Sequence, residues 1–592
     1  MTPDKKYFED RSEDLEKKIN EKDKKDRMLS LCRLFLFVLA TGFLIAGAVT
    51  KLKLIFLPLG GILAASFIFV VVIHNKVKKE AEHLKILKEV NDLYIARICG
   101  DFSVLTDSGE EFGDPKDDYS VDLDLFGERS LFSLYNISDT DDGRRAFAKD
   151  LANASFIEDT DERQKAVAEF LTKKEFLQEY QTVAREGDLR KPVNALKAIS
   201  SDEGKFSDAH RILSYILPFL WIVPLVMLIT GSPFQAIVSV AVMIINIGVF
   251  IFLSSRYNIY FKAVDGIHRQ TKAISALYEL IEKEEFKSEL IKDLVKGGAS
   301  EGKKASEGLR SLSSACDLCK FRSQPFLALL LNSTIPFDLY CADKLLKWVK
   351  RYGKELKMSL SSLAKLESLM SCACVGLVSK ESCFPTFADK AYFSGEEICH
   401  PLLDPETSVS NSITIDGKRV LVTGSNMSGK TTLIRTVGVC CILGYMGAPV
   451  PARSCRFGRM RVMSSMRIVD SIEENMSTFK AELVRISGIV KAAEEGDSLL
   501  FLIDEIFRGT NSTDRTDGAL AVLRKLDNER IIGLMTTHDY ALCDKVDGII
   551  NIDFCHFSET YDDEGISFDY KLHQGMCKNS NARYLMKLVG IE

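Results

Sequence analysis

The sequence of 592 residues predicts an α/β domain at its C-terminal end, an all-α core before it and four transmembrane helices. Four uncharged apolar runs, arranged as two pairs, predict the membrane part. Helical periodicity with charged faces runs from residue 257 to about residue 371, which predicts the all-α part. From about Pro385 onward, short apolar runs alternate with helical patterns, as is typical of an α/β fold.

The overall composition limits the partners and the compartment. A net charge of −6 and a pI near 5.9 argue against a surface coated in basic residues for nucleic acid, although a local basic groove stays open. The fifteen cysteines are scattered and no cleavable secretory signal is evident, which predicts reduced, cytosolic cysteines that mostly pack. Cys316 and Cys319 have the C-x-x-C spacing of a metal or redox site, but without a second pair packing is the preferred interpretation.

The first pair of apolar runs lies in residues 31–75, after a densely charged stretch at residues 1–30. We interpret this charged stretch as a solvated cytoplasmic helix, with a lipid-sensing role for its lysines as the alternative. The runs at 34–50 and 54–73 contain no charge and approach the length that crosses about 30 Å of hydrocarbon. They predict a transmembrane hairpin whose two ends face the cytoplasm, because basic residues flank both ends. These residues are Lys22, Lys24, Lys25, Arg27, Lys76, Lys78 and Lys79.

A second hairpin is predicted at residues 211–255. Its runs at 212–230 and 235–253 are again uncharged, and Arg211 and Arg256 bracket them. A buried core hairpin is the alternative interpretation. With four spans, we expect a multi-pass protein of the cell membrane (inner or plasma) whose soluble parts are all cytoplasmic.

Two soluble segments separate these hairpins from each other and from the α/β domain. Residues 76–210 contain helical patterning, and residues 256–384 form a helical core or lever region. The predicted helix at 344–357 is basic, with Trp348 and Tyr352 interleaved. Such a helix could touch a nucleic-acid backbone, but a solvated basic face is the preferred interpretation.

A glycine-rich loop is the central feature of the C-terminal domain. Residues 420–423 form a short apolar strand pattern, and the following segment has the spacing G-x-x-x-x-G-K-T before a helical pattern. In such a loop, backbone N–H groups face phosphate oxygens at a helix N-terminus. Lys430 would reach the β- and γ-phosphates of ATP, and Thr431 would bind Mg²⁺. The predicted cofactor-binding residues here are Gly424, Ser425, Asn426, Met427, Ser428, Gly429, Lys430, Thr431 and Thr432.

Two further strand patterns end in polar residues. Residues 498–503 precede Asp504 and Glu505, of which Asp504 would hold the Mg²⁺ shell and Glu505 would polarise the attacking water. The next apolar run ends before His538, which can sense or stabilise the γ-phosphate. A P-loop, an acidic pair and a histidine in this order indicate an ABC-type ATPase, in which two subunits sandwich two nucleotides.

Together these motifs resemble the MutS ATPases of DNA mismatch repair. The resemblance is carried in order by residues 424–432, 447–452, 474–483, 504–511 and 536–538, and more weakly by 122–169, 372–387, 397–401 and 570–575. It implies a homodimer in which Ser477 acts on the partner's γ-phosphate. It also implies that Asn426 contacts the phosphates and that Tyr570 stacks on adenine.

The chain also departs from the family. The family's mismatch-sensing and connector domains have no counterpart, and we expect no appended module after residue 592. The stretch between the second hairpin and the ATPase is too short for full levers with a DNA clamp. We therefore expect no mismatch specificity.

The resulting hypothesis is a membrane-anchored ATPase, with its catalytic domain at residues 385–592, that acts as a dimeric switch coupled to DNA binding. The alternative is a membrane-remodelling or signalling ATPase that binds no DNA. A transporter is a third hypothesis, but the sequence LSGGQ is absent and four spans are few for a transport pathway. Salt-sensitive binding to duplex DNA would separate the first two.

Overall fold

The computed structural model describes residues 5–114, 118–193, 207–297, 305–425, 427–467, 478–507, 510–548, 551–562 and 565–576. Its helices in the N-terminal half are α1 (Lys5–Val49), α2 (Lys53–Cys99), α3 (Asp118–Asp122), α4 (Leu131–Tyr135), α5 (Asp141–Ala152), α6 (Thr160–Leu171), α7 (Lys174–Glu186), α8 (Asp208–Ile216), α9 (Ile222–Ile229), α10 (Gln235–Lys283) and α11 (Glu289–Gly297). Those that follow are α12 (Ala305–Cys319), α13 (Pro325–Thr334), α14 (Phe337–Val378), α15 (Lys430–Tyr445), α16 (Thr478–Glu494), α17 (Ser512–Lys525) and α18 (Tyr540–Val546).

Five helical stretches among the described residues are long and apolar enough to cross a membrane. Four of them are α1, α2, the α8–α9 stretch and the start of α10, and at most 17% of each apolar window is buried within the protein. The fifth, α14, has 89% of its window buried, so the protein core accounts for its apolar character. Length and composition therefore agree with the four predicted spans, and their insertion in a bilayer stays a prediction.

The charged N-terminal stretch is helical, as predicted. Contrary to the prediction, it is not fully solvated. Phe8 and Leu15 are buried, and the ring of Phe8 stacks on that of Tyr94 in α2 with centroids 5.0 Å apart. The amide of Asn91 donates to Phe8 O at 2.8 Å, and Gln178 of α7 donates to Asn91 at 2.9 Å. The start of α1 and the end of α2 therefore pack into the all-α region through buried side chains.

The all-α region is built around α14, a helix of 42 residues. Helices α5, α6, α11 and α12 pack against it, and its C-terminal third is almost wholly buried. Cys316 and Cys319 of α12 belong to the same core. Burial raises the pKa of Cys316 to about 12, so its thiol is protonated at neutral pH.

The C-terminal domain contains two sheets, and the predicted α/β domain after an all-α region is confirmed. The strands are β1 (Thr386–Ala388), β2 (Tyr392–Ile398), β3 (Asn411–Asp416), β4 (Arg419–Thr423), β5 (Ser454–Gly458), β6 (Arg461–Ser465), β7 (Leu499–Asp504), β8 (Ile531–Thr537), β9 (Ile552–Asp562) and β10 (Gly565–Gln574). The smaller sheet has the order β1-β5-β2-β3, and the larger has the order β10-β9-β4-β8-β7-β6. In the larger sheet β4, β7 and β8 are parallel, with Thr423 opposite Thr537 and Asp504 opposite Thr536. This register brings the carboxyl ends of all three strands to one edge, where ligands bind in open α/β sheets.

Candidate active site

The glycine-rich loop connects β4 to α15 and needs glycine at both of its ends. Gly424 has φ of +143° and Gly429 has φ of +110°, which residues with a side chain rarely adopt. A Cβ atom on Gly424 would lie 3.0 Å from the carbonyl oxygen of Phe557. Met427, at the tip of the loop, is 85% exposed. Asn426 lies outside the described residues.

Lys430 begins α15 and turns its ammonium group into the loop. The side chain is buried, and Nζ donates to the carbonyl oxygens of Gly424 at 2.9 Å and Ser425 at 2.6 Å. His538 Nε2 lies 3.4 Å from the same Nζ. The loop thus surrounds a buried cation beside the N-terminus of a 16-residue helix, and both features favour an anion such as phosphate.

Thr431 and Asp504 meet across the edge of the sheet. The hydroxyl of Thr431 donates to Asp504 Oδ2 at 3.0 Å, and the hydroxyl of Thr536 donates to Asp504 Oδ1 at 2.6 Å. Hydroxyl and carboxylate oxygens are the donor set that Mg²⁺ prefers, usually together with substrate phosphates and water. The side chains at this position therefore fit the ion that the sequence predicted.

Glu505 follows Asp504 in an uncommon backbone conformation, with φ of +53°. Its N–H donates to Thr536 Oγ1 at 3.0 Å. Its carboxylate contacts His538 Nε2 at the end of the neighbouring strand, and the two side chains are 23% and 36% exposed. The acid and the imidazole are therefore paired beside Lys430 and remain open to solvent.

One cavity of about 890 Å³, large enough for a nucleotide, is lined by Lys430, Thr431, Asp504 and Glu505. One wall comprises the loop and its helix, with Lys430, Thr431, Thr432, Asp504 and Glu505. Tyr570 also lines the cavity, and a Cβ atom on Gly429 would lie 3.7 Å from its ring. Tyr570 has φ of +54°, and its carbonyl oxygen accepts a hydrogen bond from the Asn411 amide at 2.9 Å.

A large part of the cavity wall comes from residues that the sequence did not point to. The segment after β2 contributes Leu403, Asp404, Thr407, Ser408, Val409 and Asn411, and β9 contributes Phe557. His400, in the motif at 397–401, also lines the cavity, and burial lowers its pKa to about 3, so its imidazole is neutral. The sequence alone indicates no role for this motif, because its approach to the loop depends on tertiary packing.

A second group that the sequence did not point to is Asp122, the last residue of α3. Its carboxylate binds the end of β6 and the residues that follow it. Asp122 is fully buried and accepts hydrogen bonds from Ser464 Oγ at 2.8 Å, Met466 N at 2.9 Å and Arg467 N at 2.8 Å. Next to it, Arg435 of α15 donates to Asp124 at 2.7 Å. The all-α region therefore contacts both α15, which follows the P-loop, and the end of β6 with the residues after it, which precede Ser477 in the chain. Ser477 itself lies outside the described residues.

Comparison with protein families agrees with this geometry. Residues 420–591 match the family model described as MutS domain V. The matched stretch includes β4 with the glycine-rich loop, the acidic pair after β7 and the histidine after β8. The chain thus carries MutS domain V, the ATPase domain of MutS, at residues 420–591, a finding that supports its membership of the MutS family.

Proposed function

We propose that this protein is a membrane-anchored ATPase of the MutS type that hydrolyses ATP to ADP and phosphate and acts as a dimeric switch. The observation that carries the proposal is that Lys430, the Thr431–Asp504 pair and Glu505 line one cavity, while His538 contacts both Lys430 and Glu505. Each of these residues lies at the end of a strand or at the start of a helix, so the sheet fixes its position. The cavity therefore holds a cation for phosphate, oxygen ligands for Mg²⁺ and a carboxylate for the attacking water.

Each residue has a distinct role in this proposal. Backbone N–H groups of the loop and Lys430 bind the β- and γ-phosphates, and Tyr570 stacks on adenine. Thr431 and Asp504 would hold Mg²⁺, which neutralises charge on the phosphate oxygens when bound. Glu505 orients and polarises a water molecule, and His538 holds the Glu505 carboxylate in place while its ring lies next to the Lys430 ammonium.

The membrane part of the proposal is supported by exposed apolar side chains. Phe35 of α1 is 65% exposed, Leu54 of α2 is 93% exposed and Ile237 of α10 is 67% exposed. Large contiguous apolar surfaces of this kind mark contacts with membranes or other proteins. These surfaces lie on two helical hairpins whose apolar runs are uncharged and whose outer ends are flanked by basic residues, which favours a multi-pass protein of the cell membrane with its soluble parts in the cytoplasm.

The Asp122 contacts predict that the all-α region controls hydrolysis. In Asp122→Asn, the amide offers fewer acceptors to the buried Ser464 hydroxyl and Met466 N–H, at a cost of about 1–3 kcal/mol per unsatisfied group. We expect the rate of ATP hydrolysis by the full-length protein to fall about tenfold, with ATP affinity within about twofold of wild type because Lys430 is untouched. Steady-state hydrolysis and equilibrium nucleotide binding measure the two quantities.

A matched control is Asp497→Asn. Asp497 pairs with Arg461 at 3.1 Å, but its side chain is 41% exposed, so its loss should change neither quantity. Wild-type hydrolysis by Asp122→Asn, in a protein that binds ATP normally, would show that this contact does not reach the catalytic groups.

Coupling to DNA is the partner hypothesis that the MutS resemblance suggests. Within the basic helix at 344–357, Trp348 is buried and donates its Nε1 hydrogen to Gly308 O at 2.7 Å, so it cannot stack on a base. Exposed lysines on the same helix, Lys350 and Lys354, remain able to contact phosphates. Duplex binding through this helix would therefore be salt-dependent and independent of sequence.

Duplex binding by the detergent-solubilised protein tests this hypothesis. If DNA is the partner, Lys350→Gln with Lys354→Gln should reduce the slope of log affinity against log salt by about 2. Lys491→Gln, an exposed lysine of the ATPase domain, is the control. A protein that hydrolyses ATP but binds no duplex at low salt would instead support the alternative, a membrane-remodelling or signalling ATPase.

A further inference from the structure

The short helix α13 is apolar and exposed, although it is too short to cross a bilayer. Its ten residues, Pro325–Thr334, carry no charge. Phe326 is 81% exposed, and Leu329 and Leu330 are each 49% exposed. A soluble protein rarely presents such a cluster on one helix without a partner for it.

The C-terminal end of α13 lies beside the second hairpin, within its apolar part. Asn246 Nδ2 donates to the carbonyl oxygens of Ser333 and Thr334, both at 3.1 Å, and Trp221 Nε1 also donates to Thr334 O. Asn246 is about 10 Å along α10 from Leu253, where the apolar window ends, at about 1.5 Å per residue. Two separate helices of the hairpin therefore place this end well inside the layer that they are proposed to cross.

These hydrogen bonds supply partners to carbonyl groups that water cannot reach inside a bilayer. The last carbonyl groups of a helix have no partner within the helix, and hydrocarbon offers no water to bind them. The Asn246 amide and the Trp221 indole supply the missing donors. A fully buried asparagine in an otherwise apolar span is costly and is typically retained for a specific contact.

The other end of α13 lies near the cytoplasmic boundary. Arg322, just before the helix, places its guanidinium 4.2 Å from the ring centre of Phe261. Phe261 is about 12 Å beyond Leu253 along α10, outside the apolar window. Arg322 also donates to Asp338 at 2.7 Å, at the start of α14. Asp338 also accepts a hydrogen bond from the Asn332 amide of α13 at 3.0 Å, so the start of α14 lies beside α13.

We propose that α13 is a re-entrant membrane helix whose exposed face, formed by Phe326, Leu329 and Leu330, contacts lipid acyl chains. The inference rests on the proposed membrane anchoring and adds a lipid-contacting element that is not a span. The placement of α13 also connects the lipid layer to the ATPase domain, because α14 directly follows α13 in the chain. Near the far end of α14, Cys372 Sγ lies 3.8 Å from Met446 O, at the end of the P-loop helix α15.

Tryptophan quenching in reconstituted vesicles tests the proposal with the full-length protein. The native chain has two tryptophans, and Trp221 lies in the second hairpin, so the quenching of each variant is compared with that of the unsubstituted protein. We expect the added fluorescence of Leu330→Trp to be quenched by lipids with brominated acyl chains, and not by aqueous iodide. Ile244→Trp, at a 64% exposed position of α10, is the membrane reference. Phe156→Trp, at a 70% exposed position of the all-α region, should respond only to iodide.

The outcomes separate this inference from the anchoring on which it rests. Iodide quenching at position 330, with lipid quenching at 244, would overturn the re-entrant helix and leave the anchoring intact. Quenching by neither agent at 330 would show that protein, such as a second copy of the chain, covers this face, and would also overturn it. Absence of lipid quenching at 244 would refute the anchoring and the inference together.

A second variant tests whether Asn246 holds the helix in place. Asn246→Leu removes the donors but keeps α10 apolar, so we expect lipid quenching at position 330 to fall by at least half while that at 244 is unchanged. Ser239→Ala is the matched control, because the Ser239 hydroxyl donates to Gln235 O within its own helix at 2.9 Å. Unchanged lipid quenching at 330 in Asn246→Leu would overturn the assignment of Asn246 as the anchor.

Discussion

Glu505→Gln is expected to lower the rate of ATP hydrolysis about 10²–10⁴-fold while leaving nucleotide binding intact. The amide has the size of the carboxylate, but it cannot accept a proton from water and carries no charge opposite His538. Single-turnover hydrolysis and equilibrium binding of a fluorescent ATP analogue, both with full-length protein in detergent, measure the two effects.

Lys430→Ala is the matched comparison, since it removes a group that binds phosphate and leaves the carboxylate in place. Loss of a buried, charge-assisted contact worth about 1.5–3 kcal/mol predicts an ATP affinity about 10- to 150-fold weaker. Thermal unfolding of both variants checks that the fold survives. Wild-type hydrolysis by Glu505→Gln would exclude Glu505 as the group that activates water and would require another base in the cavity.

Mixing two inactive variants is expected to restore activity if the site is shared between subunits. In Lys430→Ala the subunit lacks its own phosphate-binding charge, and in Ser477→Arg it lacks the group that the MutS resemblance assigns to the partner's nucleotide. Each homodimer should be nearly inactive. In the mixed dimer one site has both defects and the other has none, so up to about half of the mixed dimers' sites can turn over.

This experiment needs evidence that subunits exchange in detergent, which energy transfer between labelled copies provides. With exchange shown and no activity recovered, either the two sites are strictly coupled or Ser477 acts within its own subunit. An ATP-dependent crosslink between cysteines introduced at Ser428 of one subunit and Ser477 of the other separates these outcomes. If the crosslink forms only within one chain, the proposed shared site is wrong.

The sequence alone predicted the components of the site because each is local. Lys430 and Thr431 stand at the end of one strand-and-loop motif, and Asp504, Glu505 and His538 directly follow two apolar strands. A buried strand reveals itself through consecutive apolar residues, and its carboxyl end marks the ligand edge of a parallel sheet. The four uncharged runs predicted the exposed apolar helices for the same reason, since no tertiary contact is needed to recognise them.

Contacts between distant parts of the chain were decided only by the tertiary structure. Asp122 accepts a hydrogen bond from Met466, 344 positions away, and nothing in the residues around either one indicates the other. Trp348 lies among the basic residues of a helix that the sequence predicts to be exposed, but its side chain is buried. Phe8 lies in a charged stretch, yet it is buried against α2. Helix α13 is too short to be recognised from hydropathy as a membrane element. Its proposed role follows only from its contacts with Asn246 and Trp221. Periodicity within one segment records what that segment buries, whereas its partner is set by how whole helices and sheets pack together.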